Sequence, residues 1–284
     1  MGRKIYFIAI QLLFLTTIGL QPVVAQDAEA KAVILQMIDS AKALKGFKST
    51  IRKTERIEGE LVLQVSEVKV SNNPYEVYVK QLSPKSGVEI LCADGCNKAL
   101  INMNGFPWIN ITLDPSGTTM RRHQHHTVHD SGFDLLASIL ARSLAEFKPQ
   151  EQSLELNKEI LWLGEPAYNL EMKNATYSTK LYIVSGEENI ADIARKFNVN
   201  EYAILELNPE CDNYEDVRIG QELKIPSHYG SKMVLYISKK TMLPLLIRVY
   251  DPKGLFEEYD YTKLEMNPRF AANEFDESFA EYDF

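Results

Sequence analysis

Cysteine is scarce: three in 284 residues, too few for a disulfide scaffold. Basic charge is also short. The formal charge is -8, and residues 1 to 25 carry Arg3 and Lys4 with no acid, so beyond them 29 basic residues face 39 acidic ones. That balance excludes nucleic acid as an expected partner. Catalytic signatures are missing too, with no Gly-x-Ser-x-Gly elbow, no His-Glu-x-x-His, no phosphate loop and no dinucleotide fingerprint. Neither an enzyme nor a cofactor is expected. What is present is ordinary for a folded protein: 45% apolar, 10% aromatic and 25% charged residues, which excludes disorder, collagen-like repeats and a multi-span membrane protein. The length suits one large or two modest domains, each able to bury a core without metal or disulfide support.

Arg3 and Lys4 precede an apolar run from Ile5 to Leu20, then Pro22 and the small-residue pattern Val23-Val24-Ala25. The run is short of the ~20 residues of a spanning helix. It predicts a signal peptide over 1–25, a mature start at Gln26, and a periplasmic or secreted protein. No cysteine follows the cleavage point, so lipid acylation is not indicated. Cys92 and Cys96 flank Ala93-Asp94-Gly95, where a three-residue loop with a left-handed glycine would set them across from each other. A local disulfide and two reduced thiols are both open readings; Cys211 has no evident partner.

Ala30, Ile34, Met37, Ile38, Ala41 and Leu44 recur at three- and four-residue steps, predicting an amphipathic helix ended by Gly46. From Phe47 to Leu113 the period drops to two, with turn signals at Asn72-Asn73-Pro74, Pro84-Lys85-Ser86-Gly87, Asp94-Gly95 and Asn104-Gly105. A parity slip between Leu61 and Val70 predicts a bulge or bend. A second helix is expected to open at Ser131, capped with Asp134, and to bury Leu136, Ile139, Leu140, Leu144 and Phe147 before Pro149. Strand patterns resume at Leu154 to Leu163, Ala167 to Met172, Met233 to Ile237, Leu245 to Tyr250 and Leu255 to Tyr261. The expected fold class is therefore α+β, a wide bent antiparallel sheet covered on its inner face by helices. Between Tyr182 and Pro226 the pattern is β-α-α-β, whose paired outer strands would bring entry and exit side by side, as an insert needs.

The run Tyr182-Ile183-Val184, Glu188-Asn189-Ile190, Ile193-Ala194-Arg195-Lys196-Phe197-Asn198-Val199, Leu205-Glu206-Leu207-Asn208-Pro209 and Ile219-Gly220-Gln221-Glu222-Leu223-Lys224-Ile225-Pro226 resembles a LysM module. The resemblance implies binding of N-acetylglucosamine-containing glycans, chiefly peptidoglycan, in a cleft lined by Glu188, Asn189 and Ile190 on one side and Leu207, Asn208 and Pro209 on the other. The residues agree in kind: the Asn189 and Asn208 amides offer donors and acceptors, and Ile190 and Pro209 apolar contact. The glycine usual before the acidic residue is displaced to Gly186, with Glu187 in its place, which is expected to hinder backbone approach to the sugar. Ten acids and four bases give the segment a charge of -6, ill suited to anionic wall polymers.

The remaining chain is similar to a family of exported bacterial proteins grouped with the LolA-like lipoprotein carriers. The residues that carry this are Asn104-Gly105-Phe106-Pro107-Trp108, Leu113-Asp114-Pro115-Ser116-Gly117, Met120-Arg121-Arg122, Gln124-His125-His126-Thr127, Gly132-Phe133, Leu243-Pro244-Leu245, Glu257-Glu258-Tyr259 and Glu274-Phe275. The resemblance implies an incomplete barrel with helices on its concave side, over 26–181 and 227–284, interrupted by the module at 182–226. A lipid or lipoprotein ligand follows only as fold analogy.

Four of five histidines fall at His123, His125, His126 and His129, which invites a metal reading, with an oxygen from Asp130 or Asp134. The competing reading is a polar loop that orients Arg121, Arg122 and the following helix, with histidines bonded to backbone; metal motifs draw ligands from two separated segments, and no second one is evident. The pairs Glu187-Glu188 and Glu257-Glu258 are expected to point to opposite faces and be solvated. Phe106, Trp108, Tyr259 and Tyr261 would wall a cavity or form core. The function expected is an exported, non-enzymatic envelope protein whose module binds glycan and whose body takes an apolar ligand or partner. A scaffold or assembly factor, and a metal-dependent enzyme on the histidine cluster, are the alternatives.

Overall fold

The computed structural model describes residues 21–106 and 108–284. The leader expected over 1–25 therefore lies, up to residue 20, outside the described residues. Helix α1 (Gln21–Ala43) buries the stripe of Ala30, Ile34, Met37, Ile38 and Ala41, together with Val33. Gly46 does not cap this helix. It opens β1 (Gly46–Ile57), where a Cβ would stand 2.5 Å from the Val70 carbonyl oxygen, so glycine serves close strand approach.

Strands β2 (Glu60–Asn72), β3 (Tyr75–Ser83), β4 (Glu89–Cys92), β5 (Ala99–Asn102) and β6 (Asn110–Leu113) follow. A one-turn helix α2 (Thr118–Arg121) and a 3-10 turn at Val128–Asp130 lead to α3 (Asp134–Ala145), then β7 (Gln152–Trp162) and β8 (Glu165–Asn174). Next come β9 (Thr179–Ile183), α4 (Ile190–Phe197), α5 (Glu201–Leu207) and β10 (Glu222–Pro226). The chain returns through β11 (Lys232–Ser238), β12 (Pro244–Asp251) and β13 (Gly254–Met266).

Eleven strands form one sheet in the order β6-β5-β4-β3-β2-β1-β13-β12-β11-β8-β7, and every described pairing is antiparallel. The sheet stays open, with β6 and β7 at its edges. The fold is α+β, as expected, with α1 and α3 on one face. Ile34 and Met37 of α1 and Leu140 of α3 are wholly buried in one continuous core with Phe47, Val70, Leu154, Leu170 and Leu235, so the helices' own side chains fill the space directly beneath them. The parity slip in β2 is a register shift at Val65/Ser66 against β3.

Two local expectations are corrected. Ser131 does not cap α3; its hydroxyl donates to the Val128 carbonyl at 2.8 Å, and Thr127 and Asp130 form a capping box one turn earlier. The competing acceptor lies within the 3-10 turn, which sequence periodicity does not register. Phe106 and Trp108 neither wall a cavity nor join the core, being 85% and 76% exposed, whereas Tyr261 is buried and Tyr259 packs against the core.

Cys92 and Cys96 form a disulfide with Cα atoms 4.6 Å apart, across a turn in which Asp94, Gly95 and Cys96 all have positive φ. Cys211 is buried and free. The segment after β13 covers the other face of the sheet: Tyr282 stacks on Tyr78 at 3.7 Å, and Glu274 pairs with Lys48 at 2.7 Å and Lys69 at 2.9 Å. Burial would raise the Glu274 carboxyl, but the two ammonium groups outweigh it and hold it down at about 2. No helix among the described residues is long and apolar enough to cross a membrane.

β9 and β10 form their own two-stranded sheet, with Thr179 opposite Pro226, so the chain enters and leaves the insert side by side. Lys232 faces both Lys173 and Tyr250, and Glu55 faces Glu257; this register places the insert at the end of the large sheet that carries the β1–β2 and β12–β13 turns.

Candidate functional site

The insert has its own core of Val184, Ile190, Ile193, Ala194, Val199, Ile204, Cys211, Tyr214, Leu223 and Ile225. Asn189 caps α4, accepting from the Asp192 amide at 2.9 Å while Asp192 accepts from the Asn189 amide at 3.2 Å. Asn198, in left-handed conformation, closes α4, and Asn200 caps α5 through the Tyr202 and Ala203 amides. Two loops meet at one end. The amide of Ile190 donates to the Tyr214 carbonyl at 2.9 Å, that of Val184 to Gln221 at 2.9 Å, and that of Gly220 back to Val184 at 2.8 Å. Asn189 Nδ2 spans both loops, donating to the Glu215 carboxylate at 3.0 Å.

The six residues read as a cleft divide by burial. Glu188 is half-buried and accepts from the Tyr182 hydroxyl, the Ser185 amide at 3.2 Å and Lys196 at 3.4 Å. The Tyr182 bond, with help from Ser185 and Lys196, holds its carboxyl below the usual range. Asn189 and Leu207 are half-buried, and Pro209 is exposed. Ile190 is wholly buried in the insert's core, so its side chain is not a surface contact. Asn208 is 1% exposed: its amide nitrogen donates to the Ile204 and Lys224 carbonyls at 2.7 and 2.8 Å, and its oxygen accepts from the Lys224 amide at 2.8 Å. That amide fixes the second loop onto β10. Glu187, in the glycine's usual place, does not have positive φ and lies exposed. Glu215, which the motif did not single out, and Ile219, a motif residue not read as lining the cleft, are exposed on the second loop.

The insert is also clamped to the body. Tyr202 of α5 stacks on His125 at 4.6 Å between ring centres, and His125 stacks on Phe256 at 4.2 Å. The Arg56 guanidinium forks between Asp251 of the body and Glu206 of α5; Arg121 pairs with Glu201 and lies 3.4 Å over the Tyr214 ring. Arg142 of α3 donates to the carbonyls of Arg195 and Lys196 at 2.9 and 2.7 Å.

Behind this contact lies a buried polar cluster. Glu257 accepts from His125 Nδ1 at 2.9 Å, His126 Nε2 at 3.2 Å, the Tyr229 hydroxyl at 3.0 Å and Asn200 Nδ2 at 3.4 Å. Glu55 accepts from the Tyr259 hydroxyl at 2.5 Å, the His125 amide at 3.3 Å and Lys53 at 3.1 Å. His125 Nε2 faces the Arg56 carbonyl at 3.0 Å. Burial alone would disfavour charge on these groups. It is outweighed: Glu257 beside His126 lifts that imidazole to about 9, and the two histidines hold the Glu257 carboxyl far below its usual range. Lys53, with the two histidines and Tyr259 behind it, likewise overcomes burial and lowers Glu55.

The histidine run is thus divided. His125 and His126 point at one carboxylate, exposed His123 lies 3.8 Å from Glu58, and His129 stacks on Tyr75. Among the described residues no group of three ligating side chains is placed to hold a metal. Asp130 is committed to the Thr127 cap. Glu257 and Glu258 do point to opposite faces, but neither is the solvated group expected: Glu258 is half-buried and paired with Arg248, and Glu257 is 2% exposed. Its position between Phe256 and Tyr259 on a core strand was the available signal.

Residues 44–199 match the family model described as a protein of unknown function, DUF1571, and residues 182–226 match the LysM domain model. The first match covers more than half of the chain. The protein belongs to the DUF1571 family. Its LysM segment coincides with the β9-α4-α5-β10 unit, and LysM modules bind rather than catalyse. No curated protein matches the chain. Among solved structures it is similar to the Pseudomonas aeruginosa MucA/MucB complex, at 14% identity over 87% of this chain and 60% of that one, TM-score 0.44. It is also similar to Mycobacterium tuberculosis lipoprotein LppX, at 10% identity over 86% and 98%, TM-score 0.43, and to a LolA superfamily protein of Nitrosomonas europaea, at 11% identity over 85% and 94%, TM-score 0.31. The DUF1571 chain spans about 60% of the length of the first of these. At these values the likeness concerns chain course alone.

Proposed function

We propose that the protein is an exported, non-enzymatic binding protein of the bacterial envelope, in which a LysM module at 182–226 holds a sheet body, 26–181 and 227–284, against peptidoglycan or another N-acetylglucosamine-containing glycan. The observation that carries this reading is the LysM match falling on a closed two-stranded, two-helix unit whose loops meet at one exposed end. Glu188, Asn189, Leu207 and Pro209, with the main chain of both loops and the added Glu215, form the contact surface. Ile190 and Asn208 shape it from beneath. The leader over 1–25 exports the chain. The body serves as a platform for a partner: the space directly beneath α1 and α3 is filled by their own side chains, which favours a scaffold over a carrier that holds a lipid between helices and sheet.

Sedimentation of the full chain with purified sacculi tests the glycan claim. The protein is expected to pellet, to be released by N-acetylglucosamine oligomers, and to bind more weakly as Asn189→Ser, which keeps a capping oxygen and removes the amide. Pelleting no greater than without sacculi would refute it.

A further inference from the structure

A cavity of about 800 Å³ opens where the insert joins the body, lined by the end of α3, the adjoining ends of β7, β8 and β11, and the bases of β9 and α4. That is room for a small ligand. None of the residues in loops 184–189 and 208–221 lines it, so it is a separate place from the glycan surface. Its floor is apolar: Met172 and Met233, paired across β8 and β11, with Phe147, Phe197 and Tyr229 around them.

The charged groups on its rim are unevenly used. Glu146 is paired with Arg142 at 2.9 Å and Glu151 with Lys148 at 3.6 Å. Lys180 has no ion-pair partner among the described residues, although the chain as a whole is acidic. The hydroxyl oxygen of Ser227 accepts from the Ser178 amide at 2.9 Å and lies 2.8 Å from His228 Nδ1. His228 Nε2 has no partner among the described residues, and it carries the ring hydrogen in the tautomer whose Nδ1 accepts from Ser227. Burial, and then Lys180 and Lys148, hold this imidazole below its usual value against the opposing pull of Glu151 and Glu146.

An ammonium without an ion-pair partner and an imidazole Nε2 without a hydrogen-bond partner, beside an apolar floor, define the complementary ligand. We propose that this cavity binds a small amphiphilic carboxylate, with its acid on Lys180 and His228 and its apolar portion over Met172, Met233 and Phe147. A free alkyl acid and the C-terminal residue of a peptide share this chemistry.

Titration calorimetry on the full chain with laurate, its methyl ester, N-acetyl-Ala-Phe and its amide separates the two sources. At least one acid is expected to bind saturably, its neutral counterpart at least about tenfold more weakly, the difference of one charge-assisted hydrogen bond. Lys180→Met, an exposed change on β9 that keeps the main-chain pairing, is expected to remove that preference while leaving circular dichroism and sacculus binding intact. Absence of saturable binding by either acid up to about 1 mM, equal affinity for acid and neutral form, or an unchanged Lys180→Met protein would each overturn the assignment. Asn189→Ser is expected to leave this binding unaltered, so the glycan reading and the cavity fail independently.

Discussion

Replacing Glu257 by glutamine keeps the side-chain volume but removes the charge on which His125, His126, Tyr229 and Asn200 converge. Truncating one partner of a buried ionic cluster costs about 3–5 kcal/mol, because the remaining charge has no counterpart. The pH dependence adds a second, independent signature. His126 rises from its usual 6.5 to about 9 when the protein folds. At about 1.4 kcal/mol per pKa unit the folded cluster gains about 3 kcal/mol from this ring. A raised folded pKa gives stability that is fully present below pH 6.5 and is lost as pH rises through about 9. Urea unfolding followed by circular dichroism at pH 6, 7.5 and 9.5 would read both effects. The native protein is expected to lose stability across that range, and Glu257→Gln to start lower and change much less. A variant as stable as the native chain at pH 6, or one with the same slope, would refute the assignment of charge to this cluster.

Cys92→Ser combined with Cys96→Ser should lower stability by about 2 kcal/mol, the loop-closure value for so short a ring, while a thiol assay of the denatured native chain should find one reactive group, Cys211. Gly46→Ala should destabilise the β1–β2 contact by about 1–3 kcal/mol in the same urea assay, since the new methyl meets the Val70 carbonyl and the Phe270 ring; a neutral effect would mean the strands can separate freely there.

Much of the architecture was legible because it rests on periodicity. The stripe from Ala30 to Ala41 is the buried face of α1, and the alternating segments after Leu154 are strands of the large sheet. The insert was legible because its spacing alternates helix and strand signals over a short span. What periodicity could not give was pairing at a distance. His125 and Glu257 are 132 positions apart, and nothing local marks either as half of a buried contact. Asn208 shows the same limit: an amide in a recognisable motif reads as available, yet the return strand β10 occupies it through Lys224. The Ser131 cap failed for a local reason, a nearer acceptor in the 3-10 turn, and Gly46 for a tertiary one.

Amide-resolved NMR titration of the full chain with an N-acetylglucosamine tetramer bears most directly on the account. Saturable shifts are expected for the amides of residues 185–189 and 207–216, fewer or smaller ones on the faces of α4 and α5 that meet the body, and none around Lys180 and His228. An unchanged spectrum at millimolar sugar, or shifts confined to the body, would contradict it.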